Sequence, residues 1–480
     1  MTAKQLFQSL VLILLGSTLF GCGGGGGGGG LVSGIGGTGI TASGTITGFG
    51  SIFVNGVEFE TGTASVTLDG NPGSEAGLRL GMVVRVSGTV DDTGTRGTAS
   101  EVEFDDDVQG PLSGPIEPDP DGLSSTFTVL GVPVRADSTK TVFDGVGFDT
   151  LAVNDWVEVS GFFDGAGELQ ATRIEKKGDF QPNASEIELK GTVSGLSGTS
   201  FTLGSFTVEF GGADLSRVPG GVITDGLAVE VKGTLAGTTI TASRIAQQDD
   251  LFGDDEAKVS LEGIVSNFVS NSSFTVAGQA VNASAAIFEP AGLVLADGVE
   301  VEVEGPIVAG VLQAVKVEAR GGNIKLEARV SAVNTPPGTL TLQFVPGTLT
   351  VVVDSRTTLR DDTGVDDSLT LSEIVATDFL EVEAFRDDST GALIATEIRR
   401  DTLDDDSLQG PVDACVADTS VTVLDLTYTL LAGTTAYQDQ NDAPINGADF
   451  CTGANTGGFF VKIRDDLAPD GIADEAELEN

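Results

Sequence analysis

A five-residue pattern returns along this chain at a fixed spacing, and no other feature narrows the fold so far. It reads Val84-Arg85-Val86-Ser87-Gly88, Val157-Glu158-Val159-Ser160-Gly161, Val229-Glu230-Val231-Lys232-Gly233 and Val301-Glu302-Val303-Glu304-Gly305. The closing glycines are about 72 residues apart. Leu380-Glu381-Val382-Glu383-Ala384 is a looser later copy, and Phe460-Val461-Lys462-Ile463 stands where a sixth would fall. A repeat of this length means that one supersecondary unit is used again and again. The 480 residues therefore hold several small domains and not one large core. A unit of this size buries only about 60% of its unfolded surface, so each is marginal alone.

The unit itself reads as β. In the third copy, Leu189 to Val193 is a first strand, and Phe201-Thr202-Leu203 and Phe206 to Phe210 form a hairpin around Gly204-Ser205. A glycine-rich loop follows, then Leu227 to Lys232 as a fourth strand and Ile240 to Ile245 as a fifth. Period-two alternation, β-branched residues and glycine turns mark short half-buried strands. No stretch shows a helical period longer than a turn or two. Five strands with a longer loop after the third suit a small closed Greek-key barrel of the OB type, with an open five-stranded sandwich as the alternative. The expected fold is all-β: a tandem array of about six OB-like barrels after a signal peptide and a glycine-rich tether. The units run 41–107, 108–180, 185–250, 257–321, 323–402 and 406–480, the last two divergent. Six barrels of roughly 28 Å set in line would reach roughly 170 Å.

The N-terminus reads as an export signal over residues 1–21, with Lys4 ahead of an apolar run from Leu6 to Leu19. It ends Leu19-Phe20-Gly21-Cys22, which resembles the lipobox of bacterial lipoproteins. That resemblance implies diacylglycerol on the Cys22 thiol, cleavage before it and a membrane anchor. Gly23 after the cysteine favours sorting to the outer membrane by the same resemblance. Residues 22–40 are a glycine-rich tether. The formal match to G-x-G-x-x-G at Gly34 to Gly39 lies inside it, without the strand and helix a dinucleotide site needs.

Charge and composition exclude more than they assign. The formal charge is −46, and a surface of that sign repels nucleic acid while attracting divalent cations. There is no histidine, which removes histidine bases, Ser-His-Asp triads and histidine metal ligands. Cys415 and Cys451, in the last unit, are expected to form a disulfide outside the cytoplasm. Aspartate runs, among them Asp105-Asp106-Asp107, read as solvated linkers that hold neighbouring domains apart, with weak Ca²⁺ binding as the alternative. A sharper candidate is the set Asp466, Asp470, Asp474 and Glu477, which fits positions 1, 5, 9 and 12 of a calcium loop although Ala468 occupies position 3.

The first unit carries Gly48-Phe49-Gly50-Ser51-Ile52-Phe53-Val54-Asn55-Gly56-Val57 and later Leu80-Gly81-Met82-Val83-Val84. With the lipobox and the Gly-Ile-Gly-Gly-Thr-Gly leader, this resembles bacterial lipoproteins of the domain-of-unknown-function family numbered 5666. The resemblance implies repeated OB-like units and an envelope location, and it brings no activity or site residues. The expected function is a membrane-anchored, non-enzymatic binding scaffold or spacer with no cofactor. Its expected partners are the membrane through Cys22, a protein or polysaccharide of the envelope, and divalent cations. The alternative is a carbohydrate-active or other hydrolase using carboxylates of the C-terminal unit. Such an enzyme would need a polar cleft in that one copy.

Overall fold

The computed structural model describes residues 37–479, apart from 50, 92–93, 119–123, 139, 249–250, 254, 291–292, 323, 337, 356, 362, 364–368, 388–389, 441–442, 457–459 and 467–468. The stretch read as an export signal, residues 1–21, and Cys22 lie outside the described residues.

The third unit shows how the ring closes. Its first strand, Glu186–Thr192, pairs antiparallel with the fourth, Ala228–Ala236. The hairpin strands Ser200–Leu203 and Phe206–Glu209 pair with each other. The third strand then lies parallel to the fifth, Thr239–Gln247, which returns antiparallel to the fourth. Ser194–Ser197 prolongs the first strand onto the second and completes the barrel. The same order of pairings recurs in the first, second, fourth and fifth units, with the third strand parallel to the fifth each time. In the sixth unit that contact is a single parallel bridge, Thr429 to Ile472. Closure satisfies the backbone groups that an open sandwich would leave at its edges.

The recurring pentad is the fourth strand. Its valines point inward: Val157, Val159, Val229, Val231, Val301 and Val303 are fully buried. Its glycine sits where the fourth strand bulges against the fifth, between Ser160 and Gly161 or Lys232 and Gly233. A Cβ at Gly88, Gly161, Gly233 or Gly305 would lie 2.1–2.3 Å from a carbonyl oxygen of the fifth strand. In these four units the recurring glycine is therefore favoured by a close backbone approach at the bulge.

The barrels do not stand in line. They fuse in pairs through their first strands. Units two and three join antiparallel at Gln109–Glu188, and units five and six at Lys325–Gln409. Unit one joins unit four in parallel, with Thr41, Ala42 and Ser43 against Val259, Ser260 and Leu261. Three continuous sheets of 14, 13 and 12 strands result. Units two and three also share one apolar core, as do units five and six. The reading of aspartate runs as spacers fails for Asp105-Asp106-Asp107, because Asp106 is fully buried where the first three units meet.

One α-helix is present among the described residues, Gly447–Thr456, in the loop between the third and fourth strands of unit six. The sequence reading did not expect it. Cys415 and Cys451 form a disulfide that ties this helix to the first strand of the unit. Asn455 reinforces the tie, its side chain bonding both backbone groups of Cys415 at 3.1 and 2.9 Å. No helix among the described residues is long and apolar enough to cross a membrane.

Candidate functional site

Strand alternation puts every second residue on the outer face of a barrel, and in this molecule much of that face meets another barrel. Glu158, Glu188, Glu262, Glu302, Glu318 and Glu383 are all buried. A buried carboxylate needs partners, and the partners here come from the same unit, as Lys177 for Glu158, Lys232 for Glu188 and Arg320 for Glu302, or from across a seam, as Thr45 for Glu262 and Lys140 for Glu383.

Where units one, two, four and five converge, these charged faces enclose a cavity of about 540 Å³. Unit one enters it with the hairpin turn Asn55-Gly56, whose two positive φ values suit the two-residue turn favoured by this dipeptide. Asn55 Nδ2 donates to Ser43 O at 3.0 Å and to Ser260 Oγ of unit four at 2.6 Å. Ser260 Oγ donates in turn to Glu302 Oε1 at 2.5 Å, and Arg320 holds the other Glu302 oxygen at 2.6 Å. Glu262 Oε2 accepts the Thr45 backbone amide across the same seam at 2.7 Å. Unit two closes a second side: Thr172 Oγ1 donates to Gly81 O at 2.7 Å, and Arg173 to Leu80 O at 3.3 Å. Lys140 of unit two pairs with Glu383 of unit five at 3.4 Å.

Nine carboxylates and four cationic side chains line this cavity among the described residues. Burial pushes the Glu262 carboxyl up to about 7, against the pull of Arg320. Burial likewise pushes Glu397 up to about 7, against Arg360, and raises Glu300. Glu383 drives Lys140 upward, so its ammonium stays charged. The wall is therefore net acidic by formal charge, with Glu262 and Glu397 poised to exchange a proton near neutrality. Such a surface attracts cations and offers many acceptors to hydroxyl and amine hydrogens.

The calcium-loop candidate is only partly assembled. Asp466 and Asp474 come together with Asp465, their carboxylate oxygens within 4.8 Å of one another. Asp470 and Glu477 are not in that group. Glu477 lies in the strand Glu475–Glu479, paired with Lys462 and Gln438. Asp465 instead receives the Asp470 and Gly471 amides at 3.1 and 2.8 Å, as in a tight hairpin loop. A second acidic group, Asp69, Asp106 and Glu158, lies between units; the sequence pointed to Asp106 only as part of the run Asp105-Asp106-Asp107, and to neither of its companions as a ligand. The cavity residues were not singled out either. The signal available was the glutamate of the pentad, which alternation alone assigns to the outer face without saying what covers it.

A family model described as "Domain of unknown function (DUF5666)" matches the chain five times, over residues 38–103, 113–175, 190–246, 262–318 and 327–399. These spans fall on the first five barrels. No curated protein matches the chain.

Proposed function

This chain belongs to the DUF5666 family, whose description names no activity, and from that premise we propose that it is a non-enzymatic binding scaffold of the cell envelope whose cavity takes a small organic cation. The observation that carries the reading is the cavity itself, formed by four barrels together and lined by nine carboxylates against four cations. Among the described residues it takes no lining residue from unit six, the unit in which the alternative reading, a hydrolase, would have its cleft. The packed arrangement favours binding over spacing, since barrels spent on mutual contact do not add reach. Spermidine is a suitable probe, being flexible, polycationic and rich in N–H donors. We expect saturable binding by calorimetry to the wild type, weakened at least ~tenfold in a Glu300→Gln/Glu397→Gln variant, the loss of one or two charged contacts being of that order. Binding that is equal in both, or that vanishes at physiological salt as for a loose counterion, would refute the reading.

Anchoring rests on the Leu19-Phe20-Gly21-Cys22 motif. In this proposal Cys22 carries acyl chains at the outer membrane, and the tether separates the barrels from the bilayer. Labelled fatty acid should enter the wild type and not Cys22→Ser; equal labelling of both would remove the anchor.

A further inference from the structure

We propose that Asp69, Asp106 and Glu158 form a buried site for one divalent cation of the calcium class, locking the first two barrels together. Each residue is delivered by a different part of the chain. Asp69 occupies the hairpin turn between Ser65–Leu68 and Asn71–Pro72, with φ of 49°. Asp106 lies in the link between units one and two. Glu158 is the acid of the second unit's pentad. One carboxylate oxygen from each lies within 4.8 Å of the others. Oxygens bound to calcium at 2.3–2.6 Å are at most about 5 Å apart, so the three fit around one ion.

Asp106 is what separates this group from an ordinary acidic cluster. The residue is 0% exposed, and neither of its carboxylate oxygens has a hydrogen-bond partner. Leaving a buried carboxylate bare is strongly unfavourable. Its backbone is nonetheless held in place, with Asp106 N donating to Asp69 Oδ1 at 3.3 Å and Lys190 bonding its carbonyl. The groups that face it do not neutralise it. Glu188, Glu158 and Asp69 all act on it with like charge, while Lys232 is the attractive neighbour. Lys232 is already engaged by Glu188 and lies 3.7 Å from Asp69. Lys177 takes one Glu158 oxygen at 2.8 Å. The site is thus a pocket of excess negative charge with a carboxylate aimed into it and nothing on that carboxylate. Asp69 keeps 30% of its side chain exposed, which gives an ion a way in.

The sole tryptophan of the chain, Trp156, lies two residues before Glu158 on the outer face of the same strand. It offers a local reporter. The whole chain, purified in detergent, is titrated with Tb³⁺ while exciting the indole, in an Asp466→Asn/Asp474→Asn background that removes the other acidic group. The expected result is saturable sensitised emission at one equivalent, displaced by Ca²⁺, with affinity at least ~tenfold lower on Asp106→Asn because a charged ligand is lost. An absence of saturable emission overturns the site, as does an unchanged titration of Asp106→Asn; Asp106 is then a protonated buried acid. Should Asp106→Asn not fold, the same background protein decides alone. Ca²⁺ must raise its melting temperature at pH 7.5 more than Mg²⁺ does at equal concentration, and equal shifts overturn the site.

Discussion

Gly233 shows on one residue why the pentad ends as it does. A methyl group there would lie 2.2 Å from the Thr241 carbonyl oxygen and 2.9 Å from Ala242 Cα. Both obstacles are backbone, so neither can rotate away, and the bulge between the fourth and fifth strands would have to open. Gly233→Ala is expected to lose roughly 2 kcal/mol or more, in the range of overpacked cores. Gly212→Ala in the same unit is the control, since nothing lies within 4 Å of its Cβ position and its φ is not positive. Urea midpoints of the two variants should separate clearly, and similar midpoints would show that the bulge yields. The fifth unit carries Ala384 in the corresponding place, at a bulge between Glu383 and Ala384 like those of the other units, so a methyl group is accommodated at this position in one barrel.

Elements differ in how well they could be read. The strands were legible because a barrel's inner face is filled by its own alternation: Phe201, Leu203 and Val208 are buried as the period demands. Glycine turns and the β-branched residues agreed with it. Outer faces were not legible, because the same Val-Glu-Val alternation serves whether water or another barrel lies beyond; Glu302, at 2% exposed, looks in sequence like a solvated strand residue. The helix Gly447–Thr456 escaped for a different reason. Its sequence holds two glycines and two threonines, all poor helix formers. A start signal was present nonetheless. Asn446 Oδ1 accepts the Ala448 and Asp449 amides, both at 3.0 Å, and its own amide donates to Asp449. What propensity lacks, tertiary contact supplies: Phe450 is fully buried and meets Tyr437 at 5.4 Å between ring centres. The disulfide closes a separation of 36 residues and contributes about 3–4 kcal/mol on the chain-entropy account. Of the four acids in the calcium-loop reading only Asp466 and Asp474 come together; that reading relied on spacing within one segment, whereas the Asp69, Asp106 and Glu158 group is assembled by packing between units.

At the scale of the whole molecule, burying so many carboxylates makes stability depend on pH. Glu262 and Glu397 titrate near 7 in the folded chain because burial disfavours their charged forms, against about 4.3 when unfolded. Between those values the folded state binds more protons, so the stabilisation they bring is complete below about pH 4.3 and is lost as pH rises through 7. Asp361 acts in the opposite sense. Its hydrogen bond with Arg400 pulls it down to about 2, and its stabilisation is lost as pH falls from about 4 toward 2. Urea midpoints at fixed salt, with chelator present, should therefore be higher at pH 5.5 than at pH 8; the reverse order would mean that the interfacial acids are hydrated. The seam between units one and four carries a further consequence, one of timing. Its hydrogen bond from Thr45 to Glu262 spans 217 positions. At synthesis rates of roughly 5–20 residues per second, the first barrel, complete at Phe104, is finished about 8–30 s before its partner strand at Val259 to Leu261 exists. Throughout that interval the stretch around Thr41 to Ser43 presents bare amide and carbonyl groups, an open edge available to any passing strand. We expect the nascent first barrel to need shielding that the completed chain does not.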